Sequence, residues 1–519
     1  MNRIADTENG KVRGLPGADP RITVFKGIPF AAPPTGENRW RAPQPCRDWE
    51  GVREAYEFAP ISIQDTPGLG SDIYCREWHV DPEIPMDEDC LYLNVWTGAG
   101  NPKEKLPVLV WFFGGGFQWG YPAEMEFDGE RLARRGIIVV SVNYRLGALG
   151  FMAHPELTAE QPAAPTNFGC LDQQAGLKWV IRNIAAFGGD PGRITLAGQS
   201  AGGASVLAQM NCPENEGLFQ RAIVLSGMIR SPYEEDKFIT PGSLEAAEQK
   251  GVDFLEVLGV DSIAQARELD ALYIRDKYAE YASSHPRMSI SIDGHFCPGE
   301  PMKRYMRGEH IDVPVMAGNT EDEFPNLICA ASRQEYQDKV REIFGEKAER
   351  FLAFPEAGIS GRDPLGGQEA AGAGEYAAVS GIECTVKSAF IQDERNGFGG
   401  RNYYYRFAPE IPGWDHPGTF HSVDLWFFFE TLAKCWRPFT GKHYDLARQM
   451  CNYWANFVKT GDPNGQDADG SQMPRWDPYT AEYPCEMVFT TQGPLPGREK
   501  DSPFLRFLME ALTERLLGK

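Results

Sequence analysis

The chain has 519 residues, 42% of them hydrophobic, and a formal net charge of −22 at pH 7. This length and composition indicate a globular protein with a large core. Because the charge is strongly negative and no run of Lys or Arg supplies a basic patch, we expect neither nucleic acid nor an anionic membrane surface as a partner.

The first residues, "MNRIADTENGKVRGLPG", contain no apolar region of a secretory signal, and no later stretch reaches the roughly 18 consecutive apolar residues of a membrane span. The eleven cysteines are scattered, and no CxxC or HExxH spacing suggests a metal site. We therefore expect a cytoplasmic protein without a metal; a secreted form that has lost its leader is the alternative.

Short apolar runs bounded by Gly, Pro or Asn predict buried strands. They lie at residues 106–113, 136–144, 193–198, 221–227, 313–319, 401–408 and 485–491. Stretches with helical spacing lie between many of these runs, which is typical of a mostly parallel sheet with helices on both faces. The sequence therefore predicts an α/β fold.

A glycine run follows the first of these predicted strands. Gly114, Gly115 and Gly116 have no Cβ, so their backbone N–H groups can approach a ligand oxygen closely. A plain flexible turn is the alternative.

Ser200 stands in the sequence GQSAG, residues 198–202, which fits the G-x-S-x-G nucleophile elbow. The preceding apolar run and the following "SAGGASVLAQM" supply the strand and the helix that such an elbow requires. A serine that only caps the helix is the alternative. Because a serine hydroxyl is a poor nucleophile, the chemistry also needs a base, an acid and donors for an oxyanion.

Two helical stretches, at about 243–285 and 334–380, interrupt the alternation of strands and helices. We expect them to be helical insertions into a single domain that spans residues 1–519. Residues 356–376 are rich in Gly and Ala without apolar periodicity, which predicts a mobile loop or a disordered segment.

Three adjacent acids, Glu321, Asp322 and Glu323, follow the strand predicted at 313–319. In an elbow hydrolase of this element order, the acid lies between the nucleophile and the base. Spacing does not choose among the three, and a solvated charge run is the alternative.

Three histidines lie late enough in the chain to be the base: His416, His421 and His443. His421 follows a predicted strand and precedes an aromatic run, whereas His416 is typical of a surface loop. A structural histidine is the alternative for His421.

Two helices are predicted near the C-terminus. One begins near Tyr444, shows apolar residues at spacings of three or four, and stops at Gly461. In the last helix, Ser502 is the expected N-cap and Pro503 the first residue.

With these residues, the chain resembles the type-B carboxylesterase family, the α/β-hydrolases that include bacterial para-nitrobenzyl-type esterases and cholinesterases. The similar blocks include "FKGIPFAAPPTGENRWRAPQP", "EDCLYLNVW", "NYRLGALGF", the long segment leading to "GQSAGG", and "FVKTGDPNG". The resemblance implies an α/β-hydrolase fold with Ser200 as nucleophile, Glu323 as acid and His421 as base. It also implies an oxyanion hole formed by the N–H groups of Gly115, Gly116 and Ala201.

The chain departs from the family at two positions near the site. Phe113 precedes the glycines where the family has His or Tyr, and Phe324 replaces the glycine after the acid. The resemblance also implies that Ser226 can support the acid. In secreted members, a disulfide joins the cysteine of "EDCLYLN" to an upstream cysteine. The resemblance therefore suggests a Cys75–Cys90 disulfide, and the sequence does not decide whether it forms.

The function that follows is a serine carboxylesterase that needs no cofactor and acts on small esters. A hydrophobic pocket, with aryl or medium-chain aliphatic esters as the favoured substrates, is expected from five residues: Trp119, Tyr121, Phe324, Trp426 and Phe427. Core packing is the alternative for about half of such aromatics. A catalytically inactive, cholinesterase-like binding protein and an amide or carbamate hydrolase of the same fold are the alternative functions.

Overall fold

The structure, a computed structural model of the chain, describes residues 3–233, 240–328, 330, 332–357, 379–398, 401–497 and 501–519. Most of the predicted glycine-rich loop at 356–376 lies outside the described residues. Within the described ranges, none of the helices combines the length and the apolar character needed to cross a bilayer.

The strands of the described ranges are numbered in chain order. They are β1 (Ile4–Thr7), β2 (Gly10–Arg13), β3 (Leu15–Pro16), β4 (Thr23–Pro29), β5 (Val52–Glu54), β6 (Tyr92–Thr97), β7 (Leu106–Phe112), β8 (Ile138–Val142), β9 (Gly189–Gln199), β10 (Arg221–Leu225), β11 (Val315–Thr320), β12 (Pro325–Asn326), β13 (Val379–Ser380), β14 (Tyr403–Phe407), β15 (Glu486–Thr490) and β16 (Gly493–Gly497).

A large mixed sheet of 11 strands has the order β16-β15-β14-β11-β10-β9-β7-β8-β6-β4-β3. The adjacent strands from β15 to β8 run parallel, and both edges of the sheet are antiparallel. These parallel strands are the apolar runs that the sequence predicted, so those predictions are confirmed. A central strand is covered on both faces, which is why its sequence is continuously apolar.

The helices of the described ranges are likewise numbered in chain order. The α-helices are α1 (Tyr74–Glu77), α2 (Glu130–Ala133), α3 (Gly147–Phe151), α4 (Pro155–Glu160), α5 (Phe168–Asn183), α6 (Ala201–Asn211), α7 (Leu244–Leu258), α8 (Ile263–Arg267), α9 (Ala271–Ala282), α10 (Pro301–Met306), α11 (Arg333–Phe344), α12 (Ala348–Leu352), α13 (Gly381–Arg395), α14 (Leu425–Phe428), α15 (Gly441–Thr460) and α16 (Pro503–Leu517). Short 3-10 helices span Gly36–Asn38, Met125–Phe127, Ile184–Phe187, Pro213–Asn215, Leu432–Lys434, Gly345–Lys347 and Pro355–Ala357.

The core lies on both faces of the large sheet. On β7, Val108 and Val110 pack into one apolar cluster, while Leu109 and Trp111 pack into the other, because successive side chains of a strand point to opposite faces. Helices α5, α6, α13 and α16 cover the first face, and α14 and α15 cover the second. The predicted α/β architecture is therefore confirmed.

The register of the central strands brings two chain segments to one edge of the sheet. Phe112 of β7 pairs with Gly198 of β9, and Leu225 of β10 pairs with Gln199 of β9. The glycine run and Ser200 directly follow β7 and β9, so they begin at the same carboxyl-terminal edge. This is the edge at which open α/β sheets place their ligand sites.

Both helices predicted near the C-terminus are confirmed. Gly461 ends α15 with φ of 82°, in the left-handed region that favours glycine. Ser502 caps α16 by accepting a hydrogen bond from the N–H of Leu505 at 3.0 Å, and Pro503 is the first helical residue.

The two stretches proposed as insertions are helical where the structure describes them. Helices α7, α8 and α9 occupy the first stretch, and α11 and α12 lie in the second. The division of the chain into one domain with two insertions stays a prediction.

A buried ion pair connects the segment after β8 to helix α5. Arg145 donates to both carboxylate oxygens of Asp172 at 2.8 and 2.7 Å, and the side chains are 4% and 0% exposed. The pair is therefore almost completely shielded from water.

We expect Asp172→Asn to lower the free energy of unfolding by about 3–5 kcal/mol, because it leaves the Arg145 charge buried without a counter-charge. Denaturant and thermal unfolding measure this loss. As the matched control, Glu510→Gln breaks the exposed Arg350–Glu510 pair and should cost less than about 1 kcal/mol. Equal losses in the two variants would contradict the expectation.

Candidate active site

Ser200 occupies a strained turn between β9 and α6. Its φ and ψ are 55° and −122°, a combination that residues other than glycine rarely adopt. The surrounding backbone holds it there, because the Ser200 N–H donates to Leu225 O at 2.9 Å and its carbonyl accepts from the N–H of Ala204 at 2.8 Å. The turn presents a partly buried serine at the carboxyl-terminal edge of the sheet.

The glycines on both sides of Ser200 are required by close backbone contacts. A Cβ on Gly202 would lie 2.0 Å from Phe112 O at the end of β7, and one on Gly198 would lie 2.3 Å from Gly202 O. Both distances are far below any van der Waals contact. The G-x-S-x-G pattern therefore has a steric origin here.

The glycine run lies against the same turn. A Cβ on Gly114 would stand 3.2 Å from Cβ of Ser200, and one on Gly115 would stand 2.2 Å from Trp119 O. Within the described residues, the N–H groups of Gly115, Gly116 and Ala201 donate to no protein acceptor. Unpaired N–H groups beside a serine are what an oxyanion hole requires.

A buried carboxylate and imidazole meet near this edge. Oε2 of Glu323 lies 2.6 Å from Nδ1 of His421, and both residues are buried. The other carboxylate oxygen, Oε1, accepts from the Ser226 hydroxyl at 2.5 Å and from the Thr320 N–H at 3.2 Å. The carboxylate is thus held by three donors, one of which is the histidine.

The two partners shift each other's pKa. Burial alone would lower the pKa of His421, but the charge of Glu323, the hydrogen bond to it and the more distant charge of Asp424 together raise that pKa. Burial alone would raise the pKa of Glu323, but the positive ring and the hydrogen bonds from His421, Ser226 and Thr320 lower it. The pair therefore favours an ionised acid beside a basic imidazole.

The other ring nitrogen of His421 contacts Gln199. Nε2 of the imidazole lies 3.1 Å from the side-chain amide of Gln199. A rotation of that amide by 180° exchanges its oxygen and nitrogen, so either atom can face Nε2. Among the described residues, no hydrogen bond joins the Ser200 hydroxyl to His421. Nothing in the sequence indicated this contact, although Gln199 is the residue next to Ser200.

The three adjacent acids have three different partners. Glu323 contacts His421, whereas Glu321 is exposed and pairs with Arg406. Asp322 accepts from the N–H and the hydroxyl of Thr419 at 2.7 and 2.9 Å. Because Thr419 lies two residues before His421, Asp322 fastens the loop that carries the histidine, a contact that spacing alone did not indicate.

The two remaining late histidines lie elsewhere. His416 is exposed, and His443 caps α15 by accepting from the Thr440 N–H at 3.0 Å. Nε2 of His443 contacts Glu410 O at 2.9 Å. Both ring nitrogens of His443 are therefore used within the fold.

The predicted pocket residues differ in exposure. The Phe324 ring is 57% exposed and its centroid lies 4.9 Å from that of His421. Trp119 lines a cavity beside α9, and the buried Tyr121 donates from its hydroxyl to Trp78 O at 3.4 Å. Trp426 and Phe427 are completely buried in the apolar core. A pocket role for these five residues stays a prediction.

Three further residues that the sequence singled out lie within the described ranges. Phe113 stacks on Tyr144 with ring centroids 4.3 Å apart, and its ring is buried in the core. Cys75 and Cys90 are both free thiols, and Cys90 is buried beside the Ser62 hydroxyl.

The matching family model and three similar known proteins all carry the names of esterases. The sequence model of the Carboxylesterase family matches residues 1–357 and 374–501. A cholinesterase from Mus musculus is 31% identical in an alignment of 516 positions that covers 92% of this chain and 82% of that protein. A fumonisin B1 esterase from Sphingopyxis macrogoltabida is 31% identical in an alignment of 487 positions that covers 91% of this chain and 84% of that protein. Among solved structures, a PNB esterase superposes with a TM-score of 0.75 at 28% identity, over 98% of this chain and 100% of its own.

We expect the pKa of the His421 imidazole to be lower in Glu323→Gln than in the native protein, where Glu323 raises it. The substitution removes the charge that raises the pKa and leaves the burial that lowers it. NMR of protein labelled at histidine Cε1, with His421→Gln to assign the signal, measures both values. An unchanged pKa in Glu323→Gln would contradict the assigned contact.

Proposed function

The chain belongs to the carboxylesterase family and is a carboxylic ester hydrolase with an α/β-hydrolase fold, and we propose that it cleaves small esters through an acyl-enzyme formed on Ser200. The observation that carries this proposal is the buried contact of 2.6 Å between Glu323 and His421. The proposal is also supported by the contact of the same imidazole with Gln199, the residue before the strained serine. An inactive binding protein has no need of such an arrangement.

In the first step, Oγ of Ser200 attacks the ester carbonyl carbon while Nε2 of His421 takes the hydroxyl proton. Nε2 is the ring nitrogen that does not face Glu323, so it is the one assigned to proton transfer. We infer that the Ser200 hydroxyl takes the place of the Gln199 amide at Nε2 once substrate is bound, since catalytic hydrogen bonds often form only in the complex.

Glu323 keeps His421 in the tautomer whose Nδ1 carries the proton, and it stabilises the imidazolium that forms. The raised pKa of His421 expresses the same interaction, because a charge that favours the protonated ring also lowers the cost of making it. Ser226 and Thr320 hold the carboxylate in place from its other oxygen.

The negative charge on the carbonyl oxygen is stabilised by the N–H groups of Gly115, Gly116 and Ala201. Ala201 is also the first residue of α6, so the helix dipole adds to its effect. Collapse of the intermediate breaks the bond to the alcohol oxygen, which receives the proton from Nε2 of His421. Water then repeats the sequence on the acyl-enzyme and releases the carboxylic acid, with no cofactor required.

The leaving alcohol has to lie near Nε2 of His421 to be protonated. Phe324 offers an exposed aromatic face beside that ring, which supports esters with an aryl or an apolar alkyl alcohol. Aryl and medium-chain aliphatic esters are therefore the proposed substrates.

Ser200→Ala should lower kcat/KM for a chromogenic short-chain ester by at least about 10⁴-fold, because no other group supplies the attacking oxygen. Initial rates measure the loss. Fluorophosphonate labelling followed by mass spectrometry should place the adduct on Ser200 in the native enzyme and find none in the variant. A variant as active as the native enzyme would refute the proposed nucleophile.

Glu323→Gln should lower kcat by about 10³- to 10⁴-fold, since a neutral amide neither fixes the required tautomer nor stabilises the imidazolium. Glu321→Gln is the matched control and should change kcat by less than about twofold, because its side chain is exposed. Asp322→Asn should lie between them, since Asp322 acts through Thr419. A larger loss in either neighbour than in Glu323→Gln would exclude Glu323 as the acid.

A further inference from the structure

A cavity of about 280 Å³ lies between helix α9 and the segment that follows the glycine run. Trp119, Gln118 and Leu149 line it on the side of the sheet, and Ile274, Tyr278 and Arg287 line it on the side of α9. Its wall is therefore mostly apolar, with a few charged groups. This composition is typical of sites for small organic ligands.

Arg287 is the cation of this wall that lacks a counter-charge. Its guanidinium lies 4.4 Å from the centre of the Trp119 ring, and within the described residues it forms no ion pair or hydrogen bond. Arg275, the other arginine of the wall, pairs with Asp276 at 2.6 Å. The acid of the wall, Asp65, accepts from Nε1 of Trp119 at 2.9 Å.

The backbone beside Arg287 is held on both sides. The Met288 N–H donates to the Tyr278 hydroxyl at 2.7 Å, and Met288 O accepts from the side-chain amide of Gln118 at 2.9 Å. The same amide also donates to Gly116 O at 3.2 Å. The backbone next to Arg287 is thus fixed relative to the glycine run before any ligand arrives, which lowers the entropic cost of binding.

Trp119 connects the cavity to the proposed oxyanion hole. Its ring atom Cζ3 lies 4.0 Å from the position that a Cβ on Gly116 would occupy. In the proposed reaction the alcohol oxygen lies at His421 and the carbonyl oxygen lies at the glycine run. The acyl chain is the remaining substituent, and it can extend past Gly116 and Trp119 towards Arg287.

We propose that this cavity is the acyl subsite and that Arg287 binds a carboxylate at the far end of the acyl chain, so that the enzyme prefers half-esters of dicarboxylic acids. The proposal rests on the proposed function. A guanidinium stacked on an indole keeps its N–H edge free, and that edge matches the two oxygens of a carboxylate. Because the chain has a net charge of −22, an anionic substrate needs such a local cation to offset the general repulsion.

The test compares two esters that differ only at the end of the acyl chain. Ethyl hexanoate ends in a methyl group and monoethyl adipate in a carboxylate, and both release ethanol, so one coupled assay follows both. The measured quantity is the ratio of kcat/KM for monoethyl adipate to kcat/KM for ethyl hexanoate. This ratio does not depend on how much of a variant is folded.

We expect the native enzyme to favour monoethyl adipate and Arg287→Gln to lower the ratio by about tenfold or more, since a charge-assisted hydrogen bond is lost. Arg287→Lys should restore part of the ratio, and high salt should lower the native ratio. Arg275→Gln is the matched control and should lower the ratio less than Arg287→Gln, because that arginine is already paired.

Three outcomes would overturn the proposal, and they differ in what else they refute. If the native enzyme hydrolyses ethyl hexanoate but shows no preference for monoethyl adipate, or if Arg287→Gln leaves the ratio unchanged, only the acyl subsite is refuted. If it hydrolyses neither these two esters nor chromogenic esters, the proposed function itself fails.

Discussion

The contact on which the site depends is the approach of helix α6 to the end of strand β7. Gly202 lies so close to Phe112 O that a single methyl group would overlap with it. This approach forces Ser200 into its strained turn and puts the glycine run beside it. The packing of the surrounding sheet, whose central strands are buried on both faces, stabilises the fold against this backbone strain.

The sequence was most informative where burial leaves a continuous apolar run. All parallel strands of the large sheet were predicted, because each is covered on both faces. They are β7, β8, β9, β10, β11, β14 and β15. Edge elements such as β1 and β5 were missed, since they are short and largely exposed and so resemble loops. Helix ends were predicted well where one residue type decides them, as Gly461 and Ser502 do.

Within the site, the sequence predicted which residue types to expect but not every partner. The steric need for Gly198 and Gly202 follows from local backbone geometry, so the motif alone was enough. The choice among Glu321, Asp322 and Glu323 depends on contacts with residues nearly a hundred positions later, which spacing does not encode. Similarity to a family indicated Glu323. Hydrogen bonds from the Ser226 hydroxyl and the Thr320 N–H hold its carboxylate in position for the contact with His421.

The segment Glu321, Asp322 and Glu323 also limits how the gene can change. Each residue faces a different neighbour: Arg406, Thr419 and His421 respectively. Deleting or inserting one codon would move every side chain to its neighbour's position and separate the buried imidazole from its acid. Selection should therefore tolerate other side chains at position 321 but should oppose any change in the length of this loop.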